Sequence, residues 1–273
     1  MGPYMTTIFS RALPFLMSFG VSNALAQSDF AGLYGQISTG YESNYLNSLN
    51  GTNINTPNDN NNTIITSPNQ SWGVAPLVLG IGYYLQVHEK LLLGLGADYS
   101  ALSKTSSNWD IAITNAPGNS SIKPRDTVLG FGSNMKLSNR FNVFFSPAYV
   151  IDKEKLLYLK FGYSQVSTQL NHATTVSSTN LSGQSITAPA TTAGYHTFNN
   201  QPGYILGLGY RQIITGGFYG FGEGEYMGYK APSFNFTIVK PVEGVMTNST
   251  QSASGSYSGL NAYQLLVGLG YAF

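Results

Sequence analysis

The stretch YQLLVGLGYAF, residues 263–273, decides the reading of this chain. Counted back from Phe273, every second residue is large and apolar: Tyr271, Leu269, Val267, Leu265 and Tyr263. Between them stand Ala272, Gly270, Gly268 and Gln264, with Leu266 as the exception. A period of two is a β-strand with one apolar face. Most soluble domains end in a frayed polar tail. An apolar face that runs to the final residue is expected of a strand that closes a sheet and cannot fray.

The same alternation recurs upstream in seven more segments: 31–43, 73–87, 90–102, 136–151, 155–168, 201–213 and 217–230. Their length reaches the 9–11 residues that a tilted transmembrane strand needs. The connections alternate in kind. Residues 44–72, 103–135, 169–200 and 231–260 are long and rich in Asn, Ser, Thr, Gly and Pro. The others are tight, around His88-Glu89, Asp152-Lys153-Glu154 and Thr215-Gly216. Eight strands with long and short connections in turn predict an all-β, eight-stranded antiparallel transmembrane up-and-down β-barrel, with long extracellular loops and short periplasmic turns. The strand-like segment 125–135 breaks the parity if counted, and is expected to be a hairpin arm or strand extension above the membrane. Segment 217–230 carries little bulk on its apolar face, at Phe218, Gly220, Gly222, Gly224 and Tyr226, so a bulge or register shift is allowed for there.

Only 9% of the residues are charged, against about 25% in an ordinary soluble domain. Aromatic residues make up 13%. A soluble barrel would turn its apolar faces inward, and its water-facing surface would then be nearly uncharged. The opposite assignment puts the apolar faces in lipid and the small and charged ones in a narrow lumen. Glu42, Asp98, Lys160, Arg211, Glu223 and Glu225 then form a lumenal polar cluster. Arg211 and Glu223 are its expected ion pair across the 214–216 turn. Tyrosines near strand ends, among them Tyr41, Tyr99, Tyr149, Tyr163, Tyr226 and Tyr271, suit interfacial girdles.

The N-terminus has the three parts of an export signal: Arg11, the apolar run Ala12 to Val21, and the small-residue site Ala24-Leu25-Ala26 before Gln27. Residues 1–26 are therefore expected to be a signal peptide cut after Ala26, and 27–273 a single barrel domain. The sequence has no Cys, which excludes disulfides, thiolate metal sites and a cysteine nucleophile. A net charge of +1 offers nucleic acid little to bind.

FFSPAYVIDKEKLLYLKFGYS, residues 144–164, resembles the paired-strand signature of the small bacterial outer-membrane β-barrels related to OmpA, OmpX and the opacity proteins. Pro147, Ala148 and Tyr149 stand at the first half of the signature, with Ala where Gly is usual. Leu156, Leu157, Tyr158, Lys160, Gly162 and Tyr163 stand at the second. EGEY at 223–226 is similar to the penultimate strand of that family. The terminal strand, through Tyr263, Leu265, Val267, Leu269, Tyr271 and Phe273, resembles the signal read by the barrel-assembly machinery. The resemblance implies a bacterial outer membrane, with lipid, lipopolysaccharide, assembly machinery and periplasmic chaperones as partners. It implies nothing about an activity.

No catalytic, cofactor or metal site is expected. His88 lies in a tight turn, and His172 and His196 lie in the third long connection without an acid or Cys beside them. GSYSG at 255–259 has Tyr257 where a nucleophile elbow needs Ser. Three roles stay open at this point. The first is a structural and surface-interacting barrel whose loops bind an unknown ligand. The second is a narrow porin-like channel gated by the lumenal charges, and the third is a lipid-modifying enzyme.

Overall fold

A computed structural model describes residues 28–52, 54–55, 63–115, 127–171, 175–179, 185–189, 195–240 and 249–273. Residues 1–27, with the expected signal peptide and its cleavage residues Ala24, Ala26 and Gln27, and His172 lie outside the described residues.

Eight strands form the wall: β1 (Gly32–Leu46), β2 (Leu77–His88), β3 (Leu91–Ser100), β4 (Thr127–Asp152), β5 (Lys155–Asn171), β6 (Tyr195–Thr215), β7 (Phe218–Tyr229) and β8 (Leu260–Ala272). Each pairs antiparallel with the next. β8 then pairs with β1 from Tyr34↔Ala272 to Leu46↔Leu260, so the sheet closes on itself at the level where all eight strands pair. The alternation of the terminal strand is the reason. It pairs with β1 and β7 along nearly its whole length.

Side chains obey the two-residue period. Leu91, Leu93 and Leu95 are exposed while Leu92 is buried. The outward set is apolar around the ring, with Leu265 69% and Leu95 65% exposed. Such a continuous belt is far more apolar than the surface of a protein that lives in water. The aromatic residues collect at its borders. Tyr204, Tyr226 and Tyr263 cluster toward one end, and Phe218, Tyr271 and Phe273 at the other. Exposed Tyr41, Tyr99, Tyr149 and Tyr163 stand on the same outer face.

The tight turns have the expected places, at residues 89–90, 153–154 and 216–217. In the second, Asp152 accepts from the Glu154 backbone N–H and from Lys155 Nζ, each at 2.9 Å. The Lys155 hydrogen bond holds the exposed Asp152 carboxyl below its ordinary range. In the third, Gly216 and Gly217 have φ of 52° and 87°, a conformation that favours glycine.

The long connections depart from expectation, because they carry strands instead of polar loops. Leu49–Thr52, Thr63–Ser67, Trp109–Asn115, Thr175–Thr179, Ser185–Pro189, Ser233–Lys240 and Ser249–Tyr257 form a second sheet with the first residues of β4. This sheet continues the wall upward as a rim. Segments such as TIITS and WDIAITN are strand formers hidden among Asn and Ser. The ladder beneath supplies the template that the sequence alone does not show. Segment 125–135 finds its place here, since Thr127 to Phe131 is the rim part of β4 and pairs with Thr175–Thr179. β7 keeps an unbroken register with β8, and the irregularity lies beside it, between Ile213 and Thr215.

Small residues on the inner face make room for large ones. A Cβ at Gly209 would run into the Tyr158 ring. Gly209→Ala is therefore expected to destabilise the barrel by about 1–3 kcal/mol, the usual cost of overpacking, read as a lower urea midpoint in lipid vesicles.

Candidate functional site: the lumen

The six acids and bases expected in the lumen are all there: Glu42, Asp98, Lys160, Arg211, Glu223 and Glu225 are each at most 5% exposed. They do not form one cluster. They stand in layers along the barrel axis, and the layers use two further cations.

In the middle layer, Lys160 on β5 is the hub. Its Nζ donates to Asp98 Oδ2 at 2.8 Å, Glu223 Oε1 at 2.7 Å and Glu225 Oε1 at 3.0 Å. The acids come from β3 and β7, which flank β5 at a distance around the ring, so one ammonium ties three strands together. Tyr158 donates to the other Glu223 oxygen at 2.6 Å. The ammonium also lies 4.4 Å from the centre of the Phe144 ring. Asp98, Glu223 and Glu225 are donors of the kind that hold a hard cation, with oxygens within 4.8 Å of one another. Lys160 Nζ already stands on all three, so the place of a metal ion is taken by a side chain.

Toward the tight turns, Arg211 does not pair with Glu223, contrary to expectation. Opposite Arg211 in the register is Phe221, and opposite Glu223 is Gly209. The guanidinium instead lies 4.0, 5.3, 4.9 and 4.8 Å from the ring centres of Tyr34, Tyr84, Tyr158 and Tyr219. Its Nη2 donates to Gln36 Oε1 at 2.9 Å. Planar, weakly hydrated guanidinium suits such a box, where an ammonium would not lie flat. Phe30, Leu92, Val150, Leu156 and Phe221 complete a buried aromatic and aliphatic layer at this end.

Toward the rim, Glu42 forms ion pairs with Lys104 and with Arg140, the latter at 2.7 Å, and accepts from Gln264. Arg140 Nη2 donates to Asn44 Oδ1 at 3.2 Å. Neither Lys104 nor Arg140 belongs to the expected cluster. Lys104 lies within a connection read as a loop. Arg140 lies with Asn139, whose φ is 50°, in a bulge between Ser138 and Phe141. The bulge reverses the alternation, so that Leu137 and Arg140 both point inward. The parity of Arg140 was the available signal, since it alternates with outward Phe141, Val143 and Tyr149.

Above that layer lies an apolar cap. Leu46, Leu49, Trp72, Trp109, Met135, Leu170, Tyr257 and Leu260 are part of one buried cluster. From turns to rim the lumen is aromatic, charged, charged and apolar. Among the described residues its charged groups are four acids, Glu42, Asp98, Glu223 and Glu225, and four bases, Lys104, Arg140, Lys160 and Arg211, so their formal charge cancels. Burying so many ions is costly unless every one is paired. Each acid touches a base, and Arg211 is met by four tyrosine rings and Gln36 in place of an acid.

Of the three histidines, His88 ends β2 at a tight turn and His196 lies near the start of β6.

No family model matches the chain, and no curated protein matches it. Among solved structures, it is similar to Ail, the attachment invasion locus protein of Yersinia pestis, at 12% identity and a TM-score of 0.33, covering 89% of this chain and 99% of that one. The outer-membrane protease OmpT of Escherichia coli is 11% identical with a TM-score of 0.40, covering 92% and 99%. The outer-membrane protein OprG of Pseudomonas aeruginosa is 13% identical with a TM-score of 0.42, covering 89% and 96%. The closed antiparallel ring, its apolar outer belt and its polar, filled interior are the architecture of a bacterial outer-membrane β-barrel.

Proposed function

We propose that this chain is an integral outer-membrane protein with a sealed lumen, whose work is structural and is done at the surface by its strand-rich rim. The observation that carries this reading is the filling of the lumen from end to end. A narrow channel gated by the Lys160 cluster would have to open the aromatic layer around Arg211 and the apolar cap as well as exchange ion pairs. An eight-stranded barrel has an interior only wide enough for its own side chains. On this reading the apolar belt takes outer-membrane lipid and lipopolysaccharide, and the rim takes a surface ligand. Residues 1–26 are a signal peptide removed after Ala26, and the terminal strand is read by the assembly machinery and its chaperones. The chain has no enzymatic role in this account.

The test is single-channel recording on the refolded chain from Gln27 to Phe273 in planar bilayers at high salt. No discrete conductance steps are expected, from the wild type or from Leu92→Ala at the turn end. Reproducible steps that change in Lys160→Ala or Arg211→Ala would overturn the sealed lumen and establish the gated channel in its place.

A further inference from the structure

The barrel closes along its eight strands, but the rim does not. Following the rim around the ring, its pairings join Ser233–Lys240 to Ser249–Tyr257, then to Leu49–Thr52, Thr63–Ser67, Trp109–Asn115, the start of β4, Thr175–Thr179 and Ser185–Pro189. Among the described residues, Ser185–Pro189 and Ser233–Lys240 each pair on one side only. These two strands stand over β6 and β7, so the wall is split along one seam above that pair. The split has a cause in the sequence. The β6–β7 ladder ends at Gly203↔Tyr229, and its last link runs from the Lys230 N–H to the Pro202 carbonyl at 2.9 Å. Pro202 and Pro232 flank this point, and neither can donate to a ladder.

Two open edges are a template for pairing with another chain. Their directions say which chain. β4 runs from the rim to the turns, and Thr175–Thr179 is antiparallel to it. Ser185–Pro189 is antiparallel to that strand in turn, so it descends. Ser249–Tyr257 descends into β8, and Ser233–Lys240, antiparallel to it, ascends. One edge therefore points up and the other down.

We propose that a second copy of this chain occupies the seam, in a twofold dimer whose axis is the membrane normal. This rests on the outer-membrane reading, because a shared membrane forces both copies to point the same way. Under that twofold, the ascending edge of each copy meets the descending edge of the other. Both contacts are antiparallel and equivalent, and they use Ser185–Pro189 and Ser233–Lys240 of each copy. Pairing of Ser233–Lys240 with its own copy under the same axis would be parallel. The wall below permits the approach. Between Phe218 and Tyr226, the outward positions of β7 are Gly220, Gly222 and Gly224, so the middle of this strand adds little bulk between the barrels.

The test uses the absence of cysteine from the sequence. Full-length Thr187→Cys and Ile238→Cys variants are expressed separately and together in outer membranes and treated with a flexible bismaleimide. The coexpressed single variants are expected to give a cross-linked band of twice the chain mass, and neither variant alone should do so. A cross-link confined within one chain of the Thr187→Cys, Ile238→Cys double variant would overturn the proposal, because the seam would then close on itself. Dimers of Ile238→Cys alone would overturn it in favour of parallel contact, and no cross-link at all would also overturn it. Unboiled and boiled gels of each variant separate these failures from failure of the barrel, since an inserted barrel shifts on boiling whether or not it dimerises.

Discussion

Lys160→Met should destabilise the barrel by about 3–5 kcal/mol, the usual cost of removing one partner from a buried ion pair. The reason is geometric. Lys160 is the hydrogen-bonding cation for Asp98, Glu223 and Glu225, and it is 2% exposed, so no water can replace it without rearranging the core. Methionine keeps an unbranched apolar stem of nearly the same length, so the loss reports mainly the ammonium and its contacts. Urea unfolding in lipid vesicles reads it as a fall in midpoint at constant slope. Adding Asp98→Asn and Glu225→Gln to Lys160→Met should return a large part of the loss, because fewer uncompensated charges remain. A loss below about 1 kcal/mol would mean that solvent reaches the middle layer, since only exposed pairs are worth so little.

Arg211→Met should cost about 2–4 kcal/mol, from the cation–π contacts and the hydrogen bond to Gln36. Four tyrosine rings face the guanidinium, and Tyr219 donates to the same Gln36 oxygen at 3.2 Å. Arg211→Lys separates shape from charge. The ammonium keeps the charge but has neither the plane nor the reach, so it should restore less than half of the loss. Full recovery by lysine would reduce the role of Arg211 to a point charge and remove the stacking account. Intrinsic fluorescence of the tyrosine-rich turn end and the urea midpoint should move together in this series.

The wall was legible in the sequence because each of its strands has one face that must be apolar. Phe273, Tyr271 and Leu269 on β8, or Leu91, Leu93 and Leu95 on β3, can satisfy lipid only in one register. The same parity places Glu42, Asp98, Lys160, Arg211, Glu223 and Glu225 on the inner face. Their partners were less legible, because partners depend on the stagger between strands, which the turn lengths do not give. Arg211 and Glu223 lie on adjacent strands, yet the register sets each opposite a different residue. Arg140 has the inward parity of Asn142 and Phe144, and the bulge at Asn139 changes that parity only above it, toward Leu137. Lys104 and the rim strands were hidden by composition. Above the belt neither face has to be apolar, so Thr, Ser and Asn can build a strand that reads as a loop.

The most direct measurement is the electrophoretic mobility of the chain from Gln27 to Phe273, refolded in lipid vesicles, with and without boiling in SDS. A ring closed by β8 on β1 should resist SDS at room temperature, and boiling should convert one discrete band into another. A version lacking 263–273 has no closing strand and should migrate identically before and after boiling. Identical migration of the intact chain in both lanes, after vesicle flotation has shown that it is inserted, would contradict the closed barrel.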